Sequence, residues 1–155
     1  MILDPHVFQN DDTALAYSGG SMNYRELVEK VALVSEWLLQ LPETQVALIA
    51  ENSAEWVVCD LAAREANKVL TPVPVYFSKQ QRQHLLNEAG IELLIADSSN
   101  TSEYTEHKGV SRIECPFETL QAYKVKPNGQ PCIPRGTGKI TFTSGSTGQP
   151  KGVCL

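Results

Sequence analysis

Apolar residues recur at helical spacing in three stretches of the chain, and each stretch follows residues that suit a helix N-terminus. In the first stretch, Asn23 and Glu26 form a predicted capping box, and Pro42 ends the helix at about residue 41. Its inward positions are Leu27, Val31, Val34, Leu38 and Leu41. The same pattern predicts two further helices, one opening at Asn52 with Glu55 and one at Ser78 with Gln81. We expect the last of these helices to end at Gly90.

Short apolar runs lie between the predicted helices, at residues 45–50, 69–75 and 91–96. Runs of this length and composition are typical of buried parallel strands. The prolines in residues 69–75 favour a place at the edge of the sheet. A strand at residues 13–17, paired with residues 22–24, precedes this series. The alternation of strand and helix predicts an α/β fold, a largely parallel sheet flanked by helices.

The last third of the chain has a weaker pattern. Residues 97–109 are polar and predict a surface loop, and residues 110–113 can form another strand. A short helix is expected over residues 117–123, directly after Pro116. Residues 126–138 are rich in proline and glycine and predict a connector, which leads to a strand over residues 139–143.

Composition narrows the class of protein. The chain has 155 residues, of which 42% are hydrophobic and 20% charged, as expected for one globular domain with its own core. A net charge of −5 argues against a nucleic-acid partner. No apolar run reaches membrane-spanning length and no secretory signal is visible, so we expect a cytoplasmic protein. Its four cysteines form no C-x-x-C pair and its three histidines are scattered, so we expect reduced thiols and no metal site.

The candidate chemistry lies at the end of the sequence. The strand over residues 139–143 runs into a loop of hydroxyl residues and glycines, which Pro150 stiffens before Lys151. Glycines let successive backbone N–H groups turn toward an anion, and a lysine adds a point charge. The spacing is not that of a Walker A loop, because proline occupies the position of its second glycine. The residue types alone fit either a phosphate-binding loop or a flexible surface turn.

The order of these residues is more specific than their composition. The run from Thr143 to Gly152, Thr-Ser-Gly-Ser-Thr-Gly-Gln-Pro-Lys-Gly, resembles the phosphate-binding loop of the acyl-adenylate-forming superfamily. This superfamily includes acyl-CoA synthetases, firefly-type luciferases and the adenylation domains of peptide synthetases. Residues 23–27 and 46–56 resemble two upstream stretches of the same family. Near Asn67 the family usually has a glycine, so the chain departs from the pattern there.

The resemblance implies a two-step reaction in which a carboxylate attacks the α-phosphate of ATP, releases pyrophosphate, and passes as acyl-adenylate to a thiol. It implies ATP and Mg²⁺ as cofactors, a small carboxylic acid as substrate, and CoA or a carrier thiol as acceptor. Hydroxyl and backbone donors would hold the β- and γ-phosphates, glycines would permit their approach, and a lysine would supply charge. The implied nucleotide-binding residues are Thr143, Ser144, Gly145, Ser146, Thr147, Gly148 and Lys151. No catalytic residue of the family falls within this chain.

Later motifs of the family are absent, including the lysine of its C-terminal domain. We therefore expect residues 1–155 to be an incomplete N-terminal α/β domain that ends at the phosphate-binding loop, residues 143–152. The expected function is part of an ATP-dependent acyl-activating ligase, an acyl-CoA synthetase in particular, inactive on its own. Exposed sheet edge could cause self-association. The alternative is a stand-alone nucleotide- or protein-binding module without catalysis.

Overall fold

Three α-helices and nine strands occur in the part of the chain that this computed structural model describes, residues 11–101, 109–129, 131–143 and 150–155. The helices are α1 (Tyr24–Gln40), α2 (Ala54–Glu65) and α3 (Lys79–Glu88). The strands are β1 (Thr13–Tyr17), β2 (Gly20–Asn23), β3 (Gln45–Ile49), β4 (Val69–Pro72), β5 (Leu93–Asp97), β6 (Val110–Ile113), β7 (Leu120–Val125), β8 (Ile140–Thr143) and β9 (Lys151–Cys154). A short 3₁₀ helix covers Ser98–Asn100.

The capping residues of α1 and α3 are those predicted. The Asn23 side chain accepts a hydrogen bond from the Glu26 N–H at 2.8 Å, and the Glu26 carboxylate accepts one from the Asn23 N–H at 2.9 Å. Ser78 and Gln81 form the same reciprocal pair at α3. These side chains satisfy amide groups that the first helical turn leaves unpaired, which fixes where each helix begins.

The predicted cap of α2 is wrong by one residue. Ser53, not Asn52, is the N-cap, and its hydroxyl accepts a hydrogen bond from the Trp56 N–H at 3.1 Å. Glu55 lies three residues after Asn52, which predicts a capping box at Asn52. The Glu55 carboxylate instead accepts hydrogen bonds from the turn before β7. Two adjacent polar residues both suit a cap, and a distant contact decides between them.

A five-stranded sheet in the order β4-β3-β5-β7-β6 forms the centre of the molecule. The first three strands are parallel, as predicted, and their register places Val46 beside Leu70 and Leu93. β7 runs antiparallel to both of its neighbours, β5 and β6, so the sheet of this α/β fold is mixed. β4 lies at one edge of the five strands, in agreement with its prolines.

The prediction of a helix over residues 117–123 is wrong. Residues 120–125 form β7, which pairs antiparallel with β5 through Ile95 and Ala122. Leu120 and Ala122 face one side of the sheet, while Tyr123 contributes to the core on the other. Pro116 suits a helix start, but this period of two buries apolar side chains only in a strand.

Two apolar cores lie on the two faces of the sheet. On one face, α1 and α2 cover alternate residues of β3, Val46 and Leu48. On the other face, α3 covers Ala47 and Ile49. The continuous apolar run that predicted β3 is explained by this arrangement, because a strand covered on both faces has no polar side.

β8 and β9 form an antiparallel hairpin beside the edge of the main sheet. The hairpin meets β4 at a parallel bridge between Leu70 and Lys139, and the Leu70 N–H donates to the Gly138 carbonyl at 3.0 Å. β8 confirms the predicted strand. β9 was not expected, since Lys151 was assigned to the loop and is instead the first residue of a strand.

None of the described helices combines the length and the apolar composition that a membrane crossing would require.

Candidate functional site

The described ends of the predicted phosphate loop lie opposite each other. Thr143 is the last residue of β8, Lys151 is the first of β9, and the two are paired in the hairpin register. Both side chains are exposed. The other predicted site residues lie outside the described residues: Ser144, Gly145, Ser146, Thr147 and Gly148. The hairpin therefore brings a hydroxyl and an ammonium group to the two ends of the segment 144–149.

The direction of β8 places Thr143 at a particular edge of the sheet. β8 runs parallel to β4, so its carboxyl end points the same way as the carboxyl ends of β3, β4 and β5. Ligands of open α/β sheets bind outside the carboxyl ends of the strands. Thr143 is thus at the edge of the molecule where a ligand site is expected on general grounds.

Gly152 keeps the two strands of the hairpin close together. A Cβ atom added to Gly152 would lie 3.0 Å from the Phe142 ring and 3.2 Å from the Ile140 side chain. Phe142 pairs with Gly152 across the hairpin, so its ring occupies the space that a side chain would take. Gly152, the last residue of the motif, therefore has a packing role. It lets the strand that begins with Lys151 lie close to β8.

A cavity of about 350 Å³ lies between the hairpin and α3. Pro150, Lys151 and Phe142 contribute to one wall, and His84 and Glu88 of α3 contribute to the other. Pro150 is buried, whereas Lys151 remains exposed at the mouth. Pro150 therefore anchors one end of the segment 144–149 against the body of the protein.

The base of the hairpin is held from the side of α2. Lys139 Nζ lies 2.5 Å from Asp60 Oδ1, and both side chains are largely shielded from solvent. The Leu155 N–H donates to the Lys139 carbonyl at 2.8 Å, which continues the β9 pairing to the same residue. This anchor is not indicated by the sequence, because Asp60 and Lys139 are far apart along the chain and neither belongs to the motif.

Polar groups after β5 close the same edge of the sheet. The Asp97 carboxylate accepts hydrogen bonds from the Ser99 hydroxyl at 2.6 Å, from the Asn100 side chain at 2.8 Å and from the Glu51 N–H at 3.2 Å. Burial alone would raise the pKa of Asp97, but these hydrogen bonds outweigh it and hold the pKa below its ordinary value. The ionised Asp97 carboxylate therefore joins the backbone after β3 to the turn after β5 by hydrogen bonds.

Arg82 ties the segment before α3 to the same network. Its guanidinium donates to the carbonyls of Val75 and Phe77 and to the Asn100 side chain. Beside this segment, the Tyr76 ring is 82% exposed and packs edge-on against Phe77. Sequence reasoning assigned residues 97–109 only to a surface loop and missed this network, whose signal was the run Asp97-Ser98-Ser99-Asn100, suited to a side-chain-capped turn.

The arrangement is suited to binding an anion at the end of the hairpin. The Thr143 hydroxyl can donate a hydrogen bond, Lys151 supplies a positive charge, and both side chains are exposed. Within the described residues, no three acidic, histidine or cysteine side chains come together in a way that could hold a metal ion. All four cysteines are free thiols, with Cys59 buried and Cys132 and Cys154 exposed.

Comparison with curated proteins finds synthetases that are much longer than this chain. The chain is 29% identical over 147 residues to surfactin synthase subunit 1 of Bacillus subtilis (strain 168), which covers 92% of the chain. It is 34% identical over 141 residues to the nonribosomal peptide synthetase criC of Aspergillus cristatus, with 87% of the chain covered. The chain spans only 4% and 6% of these two proteins, respectively.

Comparison with solved structures supports the same fold. O-succinylbenzoate CoA synthetase (MenE) from Bacillus subtilis, solved in complex with AMP, matches 96% of the chain with a TM-score of 0.70 and 22% identity. The N-terminal subdomain of Klebsiella oxytoca NpsA matches 97% of the chain with a TM-score of 0.67 and 27% identity. The chain spans 39% and 37% of these structures.

The family comparison covers almost the whole sequence. The model of the family described as AMP-binding enzyme matches residues 6–155, which include both the hairpin and the mixed sheet. The chain belongs to the AMP-binding enzyme family.

Proposed function

We propose that this chain is the N-terminal, phosphate-binding part of an ATP-dependent acyl-activating ligase. Such an enzyme joins a carboxylate to the α-phosphate of ATP, releases pyrophosphate, and transfers the acyl group from the adenylate to a thiol. The observation that carries the proposal is the hairpin that holds Thr143 opposite Lys151 at the carboxyl edge of the sheet. Family membership supports it.

The proposed work of these residues is charge control. Thr143 and Lys151, with Ser144, Gly145, Ser146, Thr147 and Gly148, would hold the β- and γ-phosphates while pyrophosphate leaves. Preorganised donors stabilise such a developing charge without having to reorganise during the reaction. No general base is required for the attack, because a carboxylate is already ionised at neutral pH.

Mg²⁺ fits this proposal as a partner of the nucleotide. The described residues offer no acidic cluster for it, and Mg²⁺ at phosphate sites is commonly held in large part by the phosphate oxygens. Its chemistry there is to neutralise charge on the triphosphate. One neighbouring structure is O-succinylbenzoate CoA synthetase in complex with ATP and magnesium ion, which supports the pairing.

The thiol acceptor divides the proposal into two candidates. An acyl-CoA synthetase would use CoA, and the solved CoA synthetases support this choice. An adenylation domain would use a carrier thiol, and the peptide synthetases among the curated relatives support that choice. We propose the acyl-activating step for both and distinguish them by the acceptor.

The test is ATP–pyrophosphate exchange by the full-length polypeptide that carries these residues. The purified protein is assayed with panels of amino acids, aryl acids and fatty acids, and the adenylate of the accepted acid is then offered CoA or a carrier protein with a free thiol. Acid-dependent exchange is the expected result. ATP binding without exchange for any acid would instead favour the alternative, a nucleotide-binding module without catalysis.

Lys151 provides the residue-level test. Replacing Lys151 by Ala removes one charge-assisted contact worth about 1.5–3 kcal/mol, so ATP use should fall roughly ten- to a hundred-fold. Lys151→Arg should restore only part of it, because the wider guanidinium must fit beside a stiff proline. Lys79→Ala, at an exposed position of α3, is the matched control. If Lys151→Ala leaves kcat and the KM for ATP at the control values, the loop has been assigned wrongly.

A further inference from the structure

The ion pair between Asp60 and Lys139 lies at one end of the strand that leads into the proposed phosphate loop. The Nζ–Oδ1 distance is 2.5 Å, and the Lys139 and Asp60 side chains are 33% and 23% exposed. No hydrogen bond from the described residues reaches Asp60 Oδ1, so the contact is held by charge and is not directed as a hydrogen bond. Because both side chains are shielded, solvent and salt screen this pair less than they screen a fully exposed salt bridge.

Three elements meet at Lys139. Its backbone bridges to Leu70 of β4, its carbonyl accepts from the Leu155 N–H, and its side chain reaches Asp60 of α2. The next residue, Ile140, is buried in the core on the α3 face. Successive side chains of a strand point to opposite faces, so the hairpin is held from the α2 side by a charge and from the α3 side by apolar packing.

The far end of the hairpin depends on this base for its direction. The residues of β9 are exposed along the whole strand, so apart from the buried Pro150 that precedes it the described structure offers little cover that could hold this strand from outside. Thr143 lies four positions after Lys139, about 13 Å along a strand, so a rotation of about 10° at the base would move Thr143 by about 2 Å. A shift of about 2 Å takes a donor out of hydrogen-bonding distance, so it would weaken the hold of Thr143 on a bound phosphate.

We infer that Asp60 is a positioning residue for the phosphate loop, acting through Lys139 on the direction of β8. The inference rests on the proposed function, since it assumes that the loop binds the phosphates of ATP. Asp60 does not touch the nucleotide. Its role is to hold one side of the hairpin base so that Thr143 and Lys151 face the phosphates.

Charge removal and charge exchange test the pair in the full-length protein. Asp60→Asn and Lys139→Gln should each raise the KM for ATP about three- to ten-fold with a smaller change in kcat, because the loop is misdirected and its chemistry is intact. The double variant should be no worse than either single variant, since both changes break one contact. Exchanging the charges, with Asp60→Lys and Lys139→Asp together, should recover part of the loss.

The matched control is Glu118→Gln, which removes the exposed ion pair with Lys30 at 3.6 Å. It should leave the KM for ATP unchanged. If Asp60→Asn lowers thermal stability but leaves the KM for ATP at the control value, Asp60 is only a structural residue and the inference is overturned. Additive losses in the double variant would overturn it as well.

A second measurement separates this inference from the proposed function. If the wild-type protein exchanges no pyrophosphate, the proposed function fails, and hydrogen exchange then decides on the anchor. Backbone amides of residues 139–143 should exchange faster in Asp60→Asn than in Glu118→Gln, while those of β3 should be equal in both. Equal exchange in residues 139–143 would show that the ion pair does not hold the hairpin.

Discussion

At the scale of single residues, Gly90 meets two demands, and only one of them is visible in the sequence. Its φ angle is +60°, as expected for a glycine that ends a helix. A Cβ at this position would also lie 2.4 Å from Pro131 Cδ and 2.6 Å from its Cγ. The first demand follows from local geometry, whereas the second arises because a connector far along the chain packs on the end of α3.

Gly90→Ala should therefore destabilise the protein by more than backbone strain alone would. The strain costs about 1 kcal/mol and the overpacking adds about 1–3 kcal/mol, so the free energy of unfolding should fall by about 2–4 kcal/mol. Urea denaturation measures this change. In a Pro131→Ala background the clashing ring atoms are gone, and the cost of Gly90→Ala should fall to about 1 kcal/mol. The same cost in both backgrounds would contradict the contact.

Asp97 should make stability depend on acid pH. Its hydrogen bonds lower its pKa in the folded state, so ionised Asp97 stabilises the protein above the unfolded pKa, about 3.9. This stabilisation is lost as the pH falls through the lower, folded pKa. Asp97→Asn should cost about 1–2 kcal/mol in free energy of unfolding at pH 7, because a charged acceptor is lost.

Urea denaturation of wild type and Asp97→Asn between pH 2 and pH 7 checks this dependence. The difference should shrink below about pH 4, where the wild-type carboxyl becomes protonated. Asp11→Asn is the control, since the Asp11 side chain is 79% exposed and pairs with the exposed Arg25 at 3.2 Å. A difference between Asp97→Asn and wild type that stays constant over the whole pH range would show that the charge of Asp97 is not involved.

At the scale of elements, the turn between β6 and β7 shows where the sequence pattern was insufficient. Residues 114–119 rest on α1 and α2: Trp37 Nε1 donates to the Glu114 carbonyl at 3.1 Å, and its ring meets Phe117 edge-on. The Glu55 carboxylate accepts from the Glu118 and Thr119 N–H groups at 2.6 and 3.0 Å, and from the Thr119 hydroxyl. The local pattern predicts a helix cap at Glu55 and a helix from residue 117 onward. Both predictions are wrong because the contacts that decide these positions are not local.

Glu55→Ala should loosen this turn without removing α2, because Ser53 supplies the cap. Several hydrogen bonds to one charged acceptor are lost, but the site is partly open to water, so the expected cost is about 1–2 kcal/mol in free energy of unfolding. Denaturation followed by Trp37 fluorescence measures it, with the exposed Glu36→Ala of α1 as control. Equal stability of the two variants would mean that Glu55 does not hold the turn.

At the scale of the whole molecule, the order of elements as far as β6 was predictable, whereas β7 and its direction were not. Hydrophobic period and capping residues located β3, β4 and β5 and the helices between them, because each of these signals is local. β5 has a parallel neighbour on one side and the antiparallel β7 on the other. An apolar run such as Leu120-Gln121-Ala122-Tyr123 records burial but not strand direction, so the mixed sheet could be found only from the structure.

The motif of the candidate site could be predicted from the sequence, whereas the tertiary contacts that hold the motif in place could not. The order of residues from Thr143 to Gly152 identified the family, and the hairpin places Thr143 and Lys151 at the two ends of the proposed loop. The anchor through Asp60 and the ring of Phe142 against Gly152 come from contacts that no motif contains. Segments 144–149 and 102–108 lie outside the described residues, and the roles given to residues 144–148 stay predictions.

The unequal covering of the two sheet faces has a kinetic consequence. α1 and α2, joined by β3, bury the larger apolar cluster, whereas α3 alone covers most of the other face. A folding nucleus forms most readily from large clusters of neighbouring elements.

Val58→Ala and Leu85→Ala each remove buried atoms and should each cost about 1–4 kcal/mol in free energy of unfolding. In stopped-flow chevron plots, Val58→Ala should mainly slow refolding and Leu85→Ala should mainly accelerate unfolding. A Leu85→Ala refolding rate lowered as much as that of Val58→Ala would place α3 in the nucleus as well. With α3 outside it, the cavity beside Lys151 takes shape only after the transition state has been crossed.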